Sequence, residues 1–180
     1  MPYKGLPSTL VQVLEARNAT QDDINKIQQL AKVSDFAIDV IAKQPELIAQ
    51  IEEPLQALQL LDTQEAEWPS IVRRWRKAPS CKLIWRDIAE METVPQTLQG
   101  STYIAEQALR VAFDAILQSM QRVHGVVRNE SGQEQFMVVL GLGKLGGGEL
   151  NFSSDVDLVY AFTGHGMSDG ERSIAAETYF

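Results

Sequence analysis

The sequence predicts an α+β fold that is predominantly helical, in which an array of helices is followed by the beginning of a small β-sheet. Apolar residues recur at helical spacing between residues 20 and 124, and the first short, continuous apolar run typical of a strand follows residue 135. Hydrophobic residues make up 44% of the 180 residues and charged residues 22%, a balance typical of chains that fold around a core. We therefore assign residues 1–130 to a helical region and residues 131–180 to the beginning of a second unit.

Local signals predict where two of the helices begin or end. Thr20 and Asp23 have the spacing of a capping box, and apolar residues follow at positions 24, 27, 30 and 31. The clearest helix is predicted over residues 101–123, where apolar side chains lie one or three positions apart, and it would be about 35 Å long at ~1.5 Å per residue. Gly125 is expected to end this helix, because glycine readily adopts the backbone conformation that follows a helix.

Composition argues against several classes of function. The chain has 16 Lys and Arg against 24 Asp and Glu, a net charge of −8, so we expect no nucleic-acid partner, because phosphate binding requires a basic surface. One cysteine, Cys81, and two histidines are too few for a Cys- or His-based metal site, and we interpret Cys81 as a small apolar residue. With no apolar run of about 18 residues and no signal-peptide pattern, we expect a cytoplasmic protein that has no membrane partner.

A basic cluster interrupts this acidic chain between residues 68 and 85. The members of the cluster are Arg73, Arg74, Arg76, Lys77 and Lys82. We interpret it as a solvated helix face anchored by tryptophans. The alternative is a docking surface for a partner protein, with Trp75 and Trp85 among its anchors, since Arg and Trp often dominate binding energy at interfaces.

Two strands are predicted in the last third of the sequence. Residues 136–140 form an apolar run closed by Gly141, which predicts a buried strand, and residues 155–162 predict a strand that begins with Asp155 and Asp157. Residues two apart on a strand point to the same face, so the carboxylates of Asp155 and Asp157 would share one face, with their backbones about 6.6 Å apart. They would repel by about 2.5 kcal/mol at an effective dielectric constant near 20, and a divalent cation would remove this cost. Such oxygen ligands favour Mg²⁺.

A glycine-rich segment over residues 141–148 lies between the two predicted strands. Glycines let backbone amides approach phosphate oxygens closely, so this segment and the two aspartates together predict a nucleotide site. Lys144 would add a positive charge beside the phosphates, although an exposed loop lysine unrelated to the site is the alternative. Ser153 and Ser154, just ahead of the aspartates, would donate hydrogen bonds.

The same glycines also match the G-x-G-x-x-G fingerprint of dinucleotide-binding folds. That fold needs a crossover helix of about a dozen residues after the glycines. Only eight residues separate Gly146 from Asp155, and the region upstream is helical and does not alternate between strands and helices. We therefore favour a metal-dependent nucleotide site over a dinucleotide-binding fold.

At these residues the sequence resembles a known family. The run over residues 141–158, GLGKLGGGELNFSSDVDL, closely resembles the signature of the bifunctional glutamine synthetase adenylyltransferase/adenylyl-removing enzymes, which belong to the DNA polymerase β-like nucleotidyltransferase superfamily. Upstream, residues 73–76 (RRWR) and 83–88 (LIWRDI) resemble the family's basic segment and its Trp-Arg-Asp element. The resemblance runs from about residue 34 to residue 180, and it implies that residues 131–180 begin a nucleotidyltransferase core with an incomplete sheet.

The resemblance also implies an activity. In this family, two nucleotidyltransferase halves flank a regulatory helical region: the first removes AMP from a tyrosine of glutamine synthetase by phosphorolysis, releasing ADP, and the second adds AMP from ATP. Both need Mg²⁺, and the PII signal protein and glutamine bias the choice, which regulates nitrogen assimilation. The sequence of residues 149–154, ELNFSS, resembles the adenylyl-removing half. The adenylyl-adding half, and a helical docking module for glutamine synthetase without activity of its own, are the alternatives.

Individual residues take their roles from this resemblance. Asp155 and Asp157 match the family's catalytic, metal-binding carboxylates. Gly143, Lys144 and Gly146 match the family's phosphate-proximal loop. Together with Gly147, Ser153 and Ser154, which lie in the same segment, they are the expected contacts to the adenine nucleotide and to inorganic phosphate. Gly148 stands where many members have arginine, a change that loosens the loop. The family's third catalytic carboxylate lies in an Asp-x-Arg-Leu-Arg-Pro stretch that these 180 residues lack, so we expect them to be part of a longer enzyme and inactive alone.

Overall fold

The computed structural model describes residues 5–54 and 57–180, and its predominance of helices over a few short strands confirms the predicted α+β class. The helices are α1 Ser8–Ala16, α2 Gln21–Leu30, α3 Asp35–Lys43, α4 Leu47–Gln50, α5 Trp68–Ile88, α6 Val94–His124, α7 Gly143–Gly146 and α8 Ala176–Tyr179, with a 3₁₀ helix over Asp62–Glu67. The strands are β1 Val127–Arg128, β2 Met137–Gly141, β3 Leu158–Phe162 and β4 Met167–Ser168.

Helix α2 begins where the sequence predicts. At the start of α2, the Asp23 N–H donates to Oγ1 of Thr20 at 3.2 Å and the Thr20 N–H donates to Oδ2 of Asp23 at 2.9 Å, which confirms the capping box. Helices α1 to α5 share one apolar core, whose buried members include Leu14, Ile27 and Cys81. Cys81 is therefore a core residue, as predicted, and burial raises the pKa of its thiol to about 12.

The consecutive helices α5 and α6 pack side by side and run antiparallel. At one end, the Thr97 hydroxyl donates to Oδ1 of Asp87 at 2.8 Å, and at the other the Ser119 hydroxyl donates to Oε1 of Glu65 at 2.9 Å. Helix α6 has 31 residues and begins well before the predicted residue 101. At ~1.5 Å per residue it is about 46 Å long, so it reaches from the helical core to the strands. In the part of the chain that the structure describes, no helix is both long and apolar enough to cross a bilayer.

One member of the predicted basic cluster is buried in the helical region. Lys82 has an exposed fraction of 5%, and its Nζ donates to the carbonyls of Glu53 at 3.1 Å and Pro54 at 3.3 Å. Burial lowers the pKa of this ammonium. Lys82 therefore fixes the chain that leads away from α4 and does not belong to the solvated face.

The strands form two separate antiparallel pairs, β1 with β4 and β2 with β3. In the second pair, Met137 lies opposite Phe162 and Gly141 lies opposite Leu158. The antiparallel pairing excludes the parallel β-α-β unit that a dinucleotide-binding fold requires. The second strand is shorter than predicted, because Asp155 and Asp157 lie ahead of β3 and outside any regular element.

The prediction that β2 is a buried strand is wrong. Val138 and Leu140 have exposed fractions of 38% and 50%. The hairpin of β2 and β3 faces α6 across an apolar groove of about 760 Å³ and is not packed tightly against it. A run of consecutive apolar residues indicates that both faces of a strand favour burial, but it does not specify which element covers them.

The end of α6 is joined to β4 through an aspartate. Gly125 ends the helix, as predicted, with a φ of 72°. The carboxylate of Asp169 accepts hydrogen bonds from the Arg128 guanidinium and from the Val126 N–H, both at 2.8 Å. These two hydrogen bonds lower the pKa of Asp169, because they stabilise its charged form. The two-stranded β1–β4 sheet is thereby anchored to the long helix.

Candidate functional site

The pairing of β2 with β3 brings the glycine-rich loop and the two aspartates together. One residue beyond the paired strands, the Leu142 N–H donates to the carbonyl of Asp157 at 2.9 Å. On the same side, Oδ2 of Asp157 lies 4.0 Å from the position that a Cβ on Gly143 would occupy. The two sequence features that predict the site are therefore neighbours in space. The loop between them, residues 142–157, contains every predicted site residue.

The glycines shape the turn that follows β2. Gly143 begins the short helix α7 with a φ of 54°, a left-handed conformation that favours glycine. The backbone of α7 then folds back onto the end of β2, so closely that a Cβ on Gly146 would collide with the carbonyl oxygen of Gly141. Leu145 is buried beneath this turn. The absence of a side chain at Gly146 therefore serves the contact with β2, and the Gly146 and Gly147 amides donate within the loop to the Leu142 and Gly143 carbonyls.

Lys144 is directed back across the loop. Its Nζ lies 3.4 Å from Oγ of Ser154, and the Ser154 hydroxyl donates to Oδ1 of Asn151 at 2.5 Å. This chain of contacts places a positive charge beside the segment that leads to the aspartates. The sequence analysis did not identify Asn151 as a partner in the site. Asn151 and Ser154 form a turn, and an asparagine three residues before a serine is a local signal for one. Ser153 is exposed on the same loop.

The two aspartates are both exposed to solvent. Residues 155–157 are not part of β3, so strand alternation does not determine the directions of these side chains. The prediction that both carboxylates share one face of a strand therefore does not apply. Their carboxylate oxygens nevertheless have the chemistry that Mg²⁺ prefers, and this ion commonly uses one or two protein carboxylates together with water and substrate phosphates. Among the described residues, no group of three or more His, Cys, Asp or Glu side chains is arranged to hold a metal. The chemistry of two carboxylates fits a cation that water and a phosphate ligand also bind.

The exposed part of the basic cluster lies on α5, away from this loop in sequence. Arg73, Arg74 and Arg76 are exposed, and Arg74 forms an ion pair with Glu46 at 3.6 Å. Trp85 has an exposed fraction of only 5% and belongs to the helical core, so the prediction that it anchors a partner is wrong. Tryptophan is large and apolar enough to favour either an interface or a core, and the sequence does not distinguish the two.

Comparisons with known proteins agree with the resemblance seen in the loop. The family model described as glutamate-ammonia ligase adenylyltransferase matches residues 24–180. Among curated proteins, the chain is similar to bifunctional glutamine synthetase adenylyltransferase/adenylyl-removing enzymes. It is 52% identical over 158 residues to the one from Stenotrophomonas maltophilia strain R551-3. It is 47% identical over 159 residues to that of Xanthomonas oryzae pv. oryzae, and 32% identical over 165 residues to that of Chromobacterium violaceum.

These matches cover most of this chain but a small part of each relative. The alignments to the Stenotrophomonas and Xanthomonas proteins include 86% of this chain and 17% of the relative. The alignment to the Chromobacterium protein includes 86% of this chain and 18% of the relative. The chain therefore spans about one-sixth of the length of these proteins.

Proposed function

The chain belongs to the glutamate-ammonia ligase adenylyltransferase family, and from this premise we propose that residues 131–180 begin a nucleotidyltransferase core that acts on glutamine synthetase. The proposed reaction removes AMP from an adenylylated tyrosine of glutamine synthetase by Mg²⁺-dependent phosphorolysis and releases ADP. Residues 1–130 form the helical region that supports this core. In the whole protein, the PII signal protein would bias the activity and so regulate nitrogen assimilation.

The observation that carries this proposal is the contact between the two halves of the motif. The carboxylate of Asp157 lies beside Gly143, at the point where the Leu142 N–H binds the Asp157 carbonyl. A phosphate held against the glycine-rich turn would therefore lie next to the aspartates. Because the pair of carboxylates is exposed and the turn has no side chains at its glycines, both are accessible to a nucleotide.

The residues of this chain would have separable tasks in the reaction. Asp155 and Asp157 would hold Mg²⁺, which, when bound, neutralises phosphate oxygens and favours attack at phosphorus. Gly143, Gly146 and Gly147 would let the backbone approach the phosphates. The Lys144 ammonium and the Ser153 and Ser154 hydroxyls would donate to phosphate oxygens and orient them. Positioning and charge stabilisation, and not acid–base chemistry by side chains, would account for the catalysis.

A chimera provides the test of this function. The matching segment of the Stenotrophomonas relative is replaced by this chain, and ADP release from adenylylated glutamine synthetase is measured with Mg²⁺ and inorganic phosphate. The chimera is expected to be active, and Asp157→Asn is expected to abolish its activity while leaving thermal unfolding cooperative. Full turnover by Asp157→Asn would contradict the proposed role of the carboxylates. Glu171→Gln, which changes an exposed acid outside the loop, is the matched control.

The same chimera distinguishes the two halves of the family. If the chain belongs to the adenylyl-removing half, Asp157→Asn abolishes phosphorolysis and leaves ATP-dependent adenylylation of unmodified glutamine synthetase intact. The alternative, that the chain belongs to the adenylyl-adding half, gives the opposite result. Each activity is measured separately, with labelled phosphate in the first assay and labelled ATP in the second.

A docking role for the helical region is the second candidate, and the charge on α5 favours it. Arg73, Arg76 and Lys77 are spaced so that they share one side of the helix. In the part of the chain that the structure describes, none of these three forms an ion pair with a carboxylate, although the chain as a whole has a net charge of −8. Such a basic face fits an acidic surface of a partner protein. We propose that glutamine synthetase is that partner.

A further inference from the structure

A buried hydroxyl on α6 holds the loop that carries the candidate site. The Leu150 N–H donates to Oγ1 of Thr102 at 3.1 Å, and the Thr102 hydroxyl donates in turn to the Leu98 carbonyl at 3.0 Å. Thr102 and Leu150 have exposed fractions of only 6% and 4%. The hydroxyl therefore serves both as the acceptor for the loop and as a donor to its own helix.

This hydrogen bond links the loop to the helical region. The loop's other hydrogen bonds are internal or join its two ends: the Glu149 N–H donates to the Lys144 carbonyl at 2.8 Å and the Ser154 N–H to the Asn151 carbonyl at 3.3 Å. Within residues 5–54 and 57–180, Thr102 is the one group outside residues 142–157 to which a backbone N–H of residues 143–157 donates. It acts at the centre of the loop, between the glycine-rich turn and the aspartates.

The location of Leu150 has consequences for the aspartates. A buried N–H without a partner is unfavourable, so the backbone at Leu150 is confined to the place where the Thr102 oxygen can accept from it. Leu150 lies five residues before Asp155 in the sequence, and the other end of this segment is held at Asp157 through the Leu142 N–H. The segment that presents both carboxylates is thus held at two points.

We propose that Thr102 is a positioning residue for the nucleotidyltransferase site: its hydroxyl fixes Leu150 and so sets where Asp155 and Asp157 stand relative to the glycine-rich turn. This inference rests on the proposed function, because it assigns to α6 the task of orienting a metal- and phosphate-binding loop. It explains why a polar side chain occupies a buried position on a long helix whose neighbouring buried residues include Ile104 and Ala108. The site would then be built from both regions of the chain.

The experiment compares two substitutions of the same residue in the 180-residue chain. Thr102→Val keeps the branched shape but removes the acceptor, whereas Thr102→Ser keeps the hydroxyl and loses a methyl group. Thr97→Val is the control on the same helix: Thr97 is equally buried, but its hydroxyl donates to Asp87 on α5 and not to the loop. For each protein, amide hydrogen exchange at Leu150 is measured by NMR, together with Mn²⁺ binding in the presence of ADP by electron paramagnetic resonance. Circular dichroism reports whether the helices remain folded.

Thr102→Val is expected to speed exchange at Leu150 by about tenfold or more, as the loss of a buried hydrogen bond implies. It is also expected to weaken Mn²⁺ binding with ADP by about tenfold, as for other residues that orient metal ligands. Thr102→Ser and Thr97→Val should retain both properties. Unchanged exchange at Leu150 in Thr102→Val would overturn the inference, and so would faster exchange with unchanged Mn²⁺ affinity.

The two readouts also separate this inference from the function on which it rests. If the unsubstituted chain binds no Mn²⁺ with ADP, a metal site formed by these residues alone is contradicted and the positioning role with it, whereas the proposed function is judged by ADP release from the chimera. The hydrogen bond itself is still judged by exchange at Leu150. If Thr102→Val loses its helical signal, Thr102→Ser decides the result: retained protection at Leu150 and retained Mn²⁺ affinity support the role of the hydroxyl, and loss of either overturns it.

Discussion

Gly146 lies against the carbonyl oxygen of Gly141, with no room for a side chain between them. This contact folds the short helix α7 back onto the end of β2 and so determines the shape of the glycine-rich turn. Gly146→Ala is therefore expected to push the turn away from the strand and to lower the free energy of unfolding by about 1–3 kcal/mol, the usual cost of overpacking. Urea denaturation measures this change.

The next residue provides the control for this prediction. A Cβ on Gly147 would lie 3.5 Å from the carbonyl oxygen of Gly143, which is an ordinary contact, and its φ of −83° suits any residue. Gly147→Ala is expected to leave stability unchanged or to raise it by roughly 0.4–1 kcal/mol, because alanine restricts the unfolded chain. Equal destabilisation by both substitutions would show that the Gly141–Gly146 contact does not determine the effect.

The buried thiol of Cys81 gives a pH-dependent prediction. Burial raises its pKa from 9.0 to about 12, so above pH 9 the unfolded chain loses this proton while the folded chain retains it. The stability that the thiol contributes is thus complete below pH 9 and declines as the pH rises. Relative to Cys81→Ala, the free energy of unfolding of the unsubstituted chain should fall by about 1–2 kcal/mol between pH ~9 and ~10.5.

Thiol reagents provide an independent measurement of the same environment. In the folded chain at pH ~8, Cys81 should react with a disulfide reagent only on the timescale of unfolding, because the thiolate is the reactive species. In concentrated urea it should react at once. Rapid labelling of the folded chain would contradict the buried, protonated thiol.

The basic face of α5 predicts an effect on recognition without an effect on chemistry. In the chimera, Arg73→Ala combined with Arg76→Ala should raise the KM for adenylylated glutamine synthetase by about tenfold and leave kcat unchanged, since removing these charges weakens attraction to an acidic partner. The stability change should stay within about 0.5 kcal/mol, because both residues are exposed. The control is Lys32→Ala, which removes an exposed positive charge from a different part of the helical region. An equal rise in KM from this control would show that net charge, and not the face of α5, governs recognition.

Much of this fold follows from local sequence signals. The capping box at Thr20, the long apolar stripe of α6 and the glycine at residue 125 each depend on neighbours within a few positions, and the structure confirms all three. The proximity of the glycine-rich turn to the aspartates also follows from nearby residues, because the antiparallel pairing of β2 with β3 brings the two ends of one loop together.

Features that depend on distant contacts were harder to predict. The exposure of β2 depends on which elements cover each of its two faces, and the burial of Lys82 and Trp85 depends on how residues 52–54 lie against α5. The role of Thr102 is of the same kind, since its partner Leu150 lies 48 positions away. Such pairings leave no periodic pattern in the sequence, because they join elements whose relative placement is determined by the whole core.

The measurement that tests the central claim most directly is divalent-cation binding by the chain itself. Mn²⁺ binding in the presence of ADP is followed by electron paramagnetic resonance in the unsubstituted chain, in Asp155→Asn, in Asp157→Asn and in the control Glu171→Gln. Saturable binding that either aspartate substitution weakens by at least about tenfold, and that the control leaves intact, is the predicted result. Binding of equal strength in all four proteins would contradict a metal site at Asp155 and Asp157.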